Sequence, residues 1–379
     1  MKIFLSFLQS EIQHQIAAYG FWAYYIKNGI KEGGHEWLEC EEIDWAIGLV
    51  PQTKQELGQW KANAWGKSIE YLKKNNVDIF LSYLYPHQID EQAINEIKKM
   101  GIFCVNFFCD NVRMFKTAPE EFKVFDLNWV PEYKAAGYYE KARFPFIRLP
   151  MPMWVDPKYR TIAQIENKKV SFIGSKDIQR QLLFEDFIKK EQNINIDIYG
   201  NAWKNESISS NPAMFSSFEV MKNQILFIKQ YGLYAFLNKL KSRSYNPELS
   251  DSLKLFVKGK LDFEDYIKIT RESNIIIGIN RYPSFNYPLN QANTYSRLRD
   301  LEAPMLGACY LTEWTAGIDE LYDIGEDIET YRTVNELIDK CQYLLKSASK
   351  RALLRKNAQN KSLKEHSIPN ILQKLITYL

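Results

Sequence analysis

Apolar positions along this chain fall into strand-length runs separated by stretches of helical spacing, and their order predicts the architecture. Lys2–Phe7 is the first such run, and a helical region, Ser10–Glu32, follows it after a loop. Gly33-Gly34 closes that helix ahead of a second strand near Trp37–Cys40. A helix over Lys61–Lys74 leads into Val77–Leu84, an almost unbroken apolar run that reads as a central strand. Asp90 stands where an N-cap belongs, with Ile89 and Ile94 set as a hydrophobic staple. Ala93, Ile97 and Met100 share one face of the helix that follows, and Gly101 stops it. The next run, Ile102–Cys109, ends abruptly in Asp110-Asn111, and strand Leu127–Val130 with helix Tyr133–Lys141 completes this half. Continuous apolar strands alternating with helices predict a parallel sheet covered on both faces.

The proline-rich passage Phe144–Pro157 suits neither a helix nor a central strand and predicts a linker. Beyond it the alternation resumes with strand Val170–Ile173, a Gly174-Ser175-Lys176 turn, helix Ile178–Lys190 and strand Ile196–Tyr199, which ends in Gly200-Asn201-Ala202-Trp203. Residues 205–255 interrupt the pattern and read as a mostly helical insertion. Within it, 227–243 interleaves Tyr, Phe and Leu with Lys229, Lys239, Lys241 and Arg243. Such an amphipathic basic helix suits an anionic membrane surface, or packing of its aromatic face on its own domain. Helix Asp265–Glu272, strand Asn274–Ile279 and a long loop, Asn280–Ala292, then feed the stretch Ser296–Glu313. That stretch reads as a charged turn, a short helix, a glycine stop at Gly307 and a buried strand over Ala308–Thr312. Thr333 and Glu336 form a capping box before a helix, and a last helix spans Pro369–Leu379.

Bulk properties narrow the class. A chain of 379 residues has room for two domains, and 46% hydrophobic with 25% charged residues is ordinary for a soluble globular protein. A net charge of +3 is too small to argue for a nucleic-acid partner. Cys40, Cys104, Cys109, Cys309 and Cys341 are odd in number and lack C-x-x-C spacing, so reduced thiols in a cytoplasmic protein are expected. No signal peptide and no run of transmembrane length is read from the sequence. Neither a D-x-D motif nor a His/Cys ligand cluster is present, so no metal and no cofactor is expected.

Ligands of parallel α/β sheets sit at the carboxyl ends of the strands. In the second half that rule selects Gly174, Ser175, Gly200, Asn280 and the loop before Glu302; in the first it selects Phe7–Glu11, Tyr85–Gln88 and Asp110-Asn111. At the front of Ser296–Glu313 stand Arg297, Arg299, Asp300 and Glu302, backed by Leu298, Leu301, Met305 and Leu306. A carboxylate with guanidiniums at a helix start suits a ribose hydroxyl pair and a diphosphate, and it equally suits a surface helix with i,i+3 ion pairs.

Arg299, Glu302, Ala303, Gly307, Ala308, Leu311, Thr312 and Glu313 fall on the pattern R-x-x-E-A-x-x-x-G-A-x-L-L-T-E, and Gly317, Glu320, Leu321, Glu326 and Tyr331 continue it. F-I-G-S with Arg180, and Y-G-x-x-W over Tyr199–Trp203, add to the match. The chain thus resembles glycosyltransferases of the GT-B fold, nearest their CgeB-like, group 1 branch. The resemblance implies two Rossmann-like domains facing each other across a cleft: 1–150 for the acceptor and 151–365 for the nucleotide-sugar, with 366–379 crossing back to the first. It implies metal-independent, hexosyltransferase-type transfer from a UDP-, GDP- or dTDP-sugar to a glycan, lipid-linked or protein acceptor; peripheral membrane contact through 227–243 is an expectation from that segment's amphipathic basic pattern alone. Glu302 would accept both ribose hydroxyls, while Lys176, Arg180, Arg297 and Arg299 would neutralise the departing diphosphate, beside Gly174, Ser175, Gly200 and Asn280. Asp110 and His87, then Glu11, are the candidates for a general base, with His87 equally a loop residue beside Pro86. Two departures stand out: Thr294 occupies the place of a glutamate that many retaining relatives carry, and Met153-Trp154 replaces the linker glycine. Stereochemistry is therefore not carried over. A sugar-nucleotide epimerase and a non-catalytic nucleotide-sugar binding protein are the alternatives on the same fold.

Overall fold

A computed structural model describes residues 1–7, 19–50, 52–204, 247–282 and 292–379, with single positions between 221 and 240. The expectations for residues 8–18, which include Glu11, for most of the 205–255 insertion and for the centre of the Asn280–Ala292 loop lie outside those residues. The chain divides into two compact units, Met1–Asp156 with Lys361–Leu379, and Pro157–Asn360.

The first unit runs β1 (Lys2–Ser6), α1 (Tyr19–Glu32), β2 (Glu36–Leu38), α2 (Lys54–Lys74), β3 (Ile79–Ser82), α3 (Glu91–Lys99), β4 (Phe103–Phe107), α4 (Asn111–Met114), β5 (Leu127–Trp129), α5 (Tyr133–Ala142) and β6 (Phe146–Ile147). Its strands pair in parallel in the order β2-β1-β3-β4-β5-β6. Asp90 caps α3 as expected, accepting from the Gln92 and Ala93 amides. Helix α2 begins two turns earlier than the apolar spacing suggests. Thr53 and Glu56 close a reciprocal capping box there, at 3.2 and 2.7 Å. The predicted linker also contains β6, which lies at the sheet edge, where flanking prolines remove no ladder hydrogen bond. One row of the sheet is polar. Ser6, Ser82, Asn106 and Asn128 stand side by side in register and are all but fully buried. The Asn106 carboxamide oxygen accepts from the Ser82 hydroxyl at 2.8 Å and the Leu84 amide at 3.0 Å.

The second unit runs β7 (Val170–Ile173), α6 (Ile178–Lys190), β8 (Ile196–Tyr199), α7 (Asp251–Lys254), β9 (Val257–Gly259), α8 (Phe263–Glu272), β10 (Ile275–Gly278), β11 (Arg281–Tyr282), β12 (Asn293–Thr294), α9 (Arg299–Met305), β13 (Tyr310–Glu313), α10 (Ile318–Leu321), β14 (Glu329–Tyr331), α11 (Val334–Lys346) and α12 (Ala348–Glu365). Its main sheet is parallel, ordered β14-β13-β10-β7-β8-β9, and β11 with β12 forms a separate antiparallel pair. Alternate strand residues feed two cores. Ile275, Ile277 and Leu311 pack with Phe184 of α6 and Leu337 of α11, while Ile276 and Tyr310 pack with Ala303 of α9 and Ala358 of α12. The sheet is thus covered on both faces, which is why its strands read as unbroken apolar runs. Gly307 ends α9 at φ +76°, the left-handed stop that its position predicts. Helix α13 (Ile368–Ile376) belongs to the first unit, where the Ile368 amide donates to the Met153 carbonyl at 3.0 Å.

Candidate functional site

At the carboxyl edge of the second sheet, the turns after β7 and β8 cross at backbone contact distance. A Cβ on Gly200, whose φ is +138°, would lie 2.2 Å from the Gly174 carbonyl oxygen and 3.1 Å from the Ser175 nitrogen. Glycine is therefore required for both conformation and space. The crossing engages some of the amides that the sequence offers to a phosphate. Gly174 N–H donates to the Tyr199 carbonyl and Lys176 N–H to the Asn201 carbonyl, each at 2.9 Å. Ser175 is exposed, and its carbonyl accepts from Arg180 at 2.7 Å. Asp177 caps α6 and also pairs with Arg180 at 3.2 Å.

Arg180, Arg297 and Arg299 come together here from two separate stretches. Burial presses the Arg180 pKa down, Asp177 opposes, and the charges of Arg297 and Arg299 press it down further. Aromatic faces hold the other two guanidiniums: Arg297 lies 4.5 Å from the Tyr295 ring centre and Arg299 4.5 Å from that of Tyr266. Glu302 is 6% exposed, 3.7 Å from Arg299, and accepts the Tyr266 hydroxyl. Burial keeps that phenol well above its ordinary pKa, so it stays a donor.

Asp300, by contrast, is a strut. It is fully buried and accepts from Ser296, Tyr310 and Thr312 hydroxyls at 2.8–2.9 Å, the Arg297 amide at 3.0 Å and the Asn280 carboxamide at 3.3 Å. Burial raises its pKa, and those donors pull against the rise. Asn280 belongs to this same strut and not to an open surface, because it is 1% exposed and also donates to the Glu313 carbonyl at 2.8 Å.

Sequence reasoning missed three participants. Arg281 grips Glu313, its Nε standing 3.0 and 3.1 Å from the two carboxylate oxygens and its own amide 3.1 Å from one of them. Burial alone would lower the Arg281 pKa, and the Glu313 carboxylate reverses the sign. Tyr266 lies on α8 with no local motif to mark it. Gln179, in the first turn of α6, is fully buried, and its side-chain amide has no hydrogen-bond partner. Thr294, the departure from the family pattern, pairs with Arg281 across the β11–β12 ladder.

In the first unit, Asp110 opens α4 and makes no capping hydrogen bond with its side chain. That cap is supplied by Glu132, whose two oxygens accept from the Asn111 and Val112 amides at 2.7 and 3.1 Å. Glu132 is 2% exposed, and burial pushes its pKa up to about 8. His87 stands on the loop after β3 with its Nε2 2.9 Å from the Gly48 carbonyl. Much of the side chain reaches solvent, but burial of the bonded end, with Lys61 nearby, lowers its pKa. That bond makes His87 a loop peg in this structure. Among the described residues, no group of three His, Cys, Asp or Glu side chains could hold a metal, and no helix is long and apolar enough to cross a membrane.

No curated protein matches the chain by sequence. Solved structures share its fold at low identity. Sucrose-phosphate synthase from Thermosynechococcus elongatus is 11% identical with a TM-score of 0.60, over 99% of this chain and 98% of that one. A glycosyltransferase from Rickettsia africae ESF-5 is 12% identical at 0.60, over 100% and 97%. Anabaena HepE, solved in complex with UDP, is 13% identical at 0.53, over 100% of both chains. A family profile described as glycosyl transferase-like matches residues 179–377, more than half of the chain and the whole of the arginine and Glu302 region. On that match this chain belongs to the glycosyl transferase-like family, and it is a glycosyltransferase of the GT-B fold.

Proposed function

We propose that the chain moves a hexosyl group from a nucleoside-diphosphate sugar to a hydroxyl of a glycan, lipid-linked or protein acceptor, without a divalent metal. One observation carries the reading: Arg299 stands 3.7 Å from the buried carboxylate of Glu302, and Arg180 feels the charges of both Arg297 and Arg299, at the carboxyl edge of a parallel sheet. Three guanidiniums held close repel one another, and a diphosphate would relieve that repulsion. A buried Arg297 Nε without a hydrogen-bond partner is a donor ready for such an anion. Glu302 takes the ribose hydroxyls. As the bond from the anomeric carbon to the diphosphate breaks, the arginines, with Lys176 and the Ser175 amide, hold the charge that develops. Asp110 takes the proton of the acceptor hydroxyl. The UDP in the Anabaena structure makes UDP the first donor base to try. Peripheral contact with an anionic membrane through 227–243 is supported by the exposure of Leu233, Tyr234, Leu237 and Leu240.

Calorimetric titration with UDP, GDP and dTDP tests the donor site. Glu302→Ala should weaken binding of the preferred nucleotide by about 1–3 kcal/mol, the cost of leaving polar partners unpaired. Binding as tight as wild type refutes the ribose assignment. Sugar transfer should survive EDTA, and loss of activity restored by manganese would overturn the metal-independent reading.

A further inference from the structure

We infer that Arg281 and Glu313 form a positioning pair that sets where Arg297 and the start of α6 stand, and so governs how tightly a nucleoside diphosphate is held. The inference rests on the donor site proposed above.

Arg281 touches three separate segments at once. Its guanidinium and its amide both close on Glu313 at the end of β13. A second guanidinium nitrogen reaches the Gln179 carbonyl, in the first turn of α6, at 3.4 Å. Its own carbonyl accepts from the Arg297 guanidinium at 3.0 Å. One residue before it, the Asn280 carbonyl receives the Tyr295 amide at 3.1 Å, and the Tyr295 ring is the platform under Arg297. The side chains of Arg281 and Glu313 are 15% and 6% exposed. Taking both charges out of water is costly unless geometry and hydrogen bonds are nearly complete, and a forked guanidinium on a carboxylate provides that completeness. A buried ion pair is weak stabilisation but strong orientation. The orientation it fixes is that of the Arg281 carbonyl, hence of Arg297. Neither residue needs to touch the nucleotide for this.

The test uses Glu313→Gln, which keeps shape and one acceptor, and Arg281→Lys, which keeps charge but loses the fork. Amide exchange in the ligand-free chain reads the anchoring directly. The Tyr295 amide should exchange at least tenfold faster relative to the Ile276 amide, which is bonded inside the sheet to Cys309. An unchanged Tyr295-to-Ile276 ratio overturns the inference, because a general loss of stability would speed both. UDP affinity, measured by calorimetry, then reads the consequence. Glu313→Gln should weaken UDP binding about tenfold in the wild-type background and less than twofold in an Arg297→Ala background. Equal losses in both backgrounds overturn the inference, since the pair would then act independently of Arg297. A faster Tyr295 amide in a protein that binds neither UDP nor GDP would leave the pair standing and bring down the donor-site reading.

Discussion

Glu132→Gln should remove a pH dependence of stability that the buried carboxyl imposes on the first unit. The folded-state pKa, pushed up to about 8 by burial, lies above the unfolded reference of 4.5. Between those values the folded chain holds a proton that the unfolded chain has released, so this group's contribution falls as pH rises through that window. At 1.36 kcal/mol per pH unit, the window corresponds to about 5 kcal/mol between its two ends. The Asn111 and Val112 amides donate to the carboxyl and favour its ionised form, so they already oppose burial in holding the value to about 8. Glutamine offers one acceptor where the carboxyl offers two, so the variant should be less stable than wild type near pH 5, by about 1 kcal/mol. The deficit should shrink and then reverse as pH approaches 8. Urea unfolding followed by circular dichroism at pH 5, 6, 7 and 8 reads this as the difference between the two proteins at each pH. Parallel stability profiles would refute the reasoning, showing that Glu132 ionises in the fold as readily as in the unfolded chain.

Two further outcomes follow from the site geometry. Asp110→Asn should lower turnover by about 10²–10⁴-fold while UDP affinity stays near wild type; normal turnover would remove Asp110 from the proposed chemistry. Gly200→Ala should destabilise the chain by about 1–3 kcal/mol and weaken UDP binding, because the added carbon meets the Gly174 backbone at φ +138°; a variant matching wild type in both thermal melting and calorimetry would show that the two turns do not share one constraint.

What could be read in the sequence was local or periodic. The buried parallel strands announced themselves as apolar runs, Asp90 as an N-cap and Gly307 as a helix stop, because each rests on neighbours within a few residues. The first two turns of α2 escaped, although Thr53 and Glu56 spell a capping box, because the residues after them are polar and carry no apolar period. Strand β6 escaped because prolines around it argue against a central strand, and it is an edge strand. Within the site, Glu302 and the arginines were legible through a spaced motif. The Arg281–Glu313 pair was not, since its partners lie on separate strands and only the fold brings them together. Asp300 and Glu302 stand two residues apart with the same chemistry, yet only Asp300 is enclosed by donors on every side. Both are buried, and the donors each one meets, which decide their roles, are brought by the fold and not written locally.

The polar row across the first sheet bears on how that sheet finds its alignment. A strand that is apolar on both faces can slide by one residue without exposing oil to water, so its hydrophobic pattern says little about parity. The Ser82–Asn106 pair at the centre of the row supplies the missing mark. In a shifted β4, the Asn106 carboxamide would face an aliphatic or aromatic neighbour and leave the Ser82 hydroxyl and Leu84 amide unanswered, at about 1–3 kcal/mol for each buried group. The pair works like a vernier mark: only one setting of β3 against β4 brings it into coincidence, and every other is penalised in the dry interior where the error cannot be rinsed away.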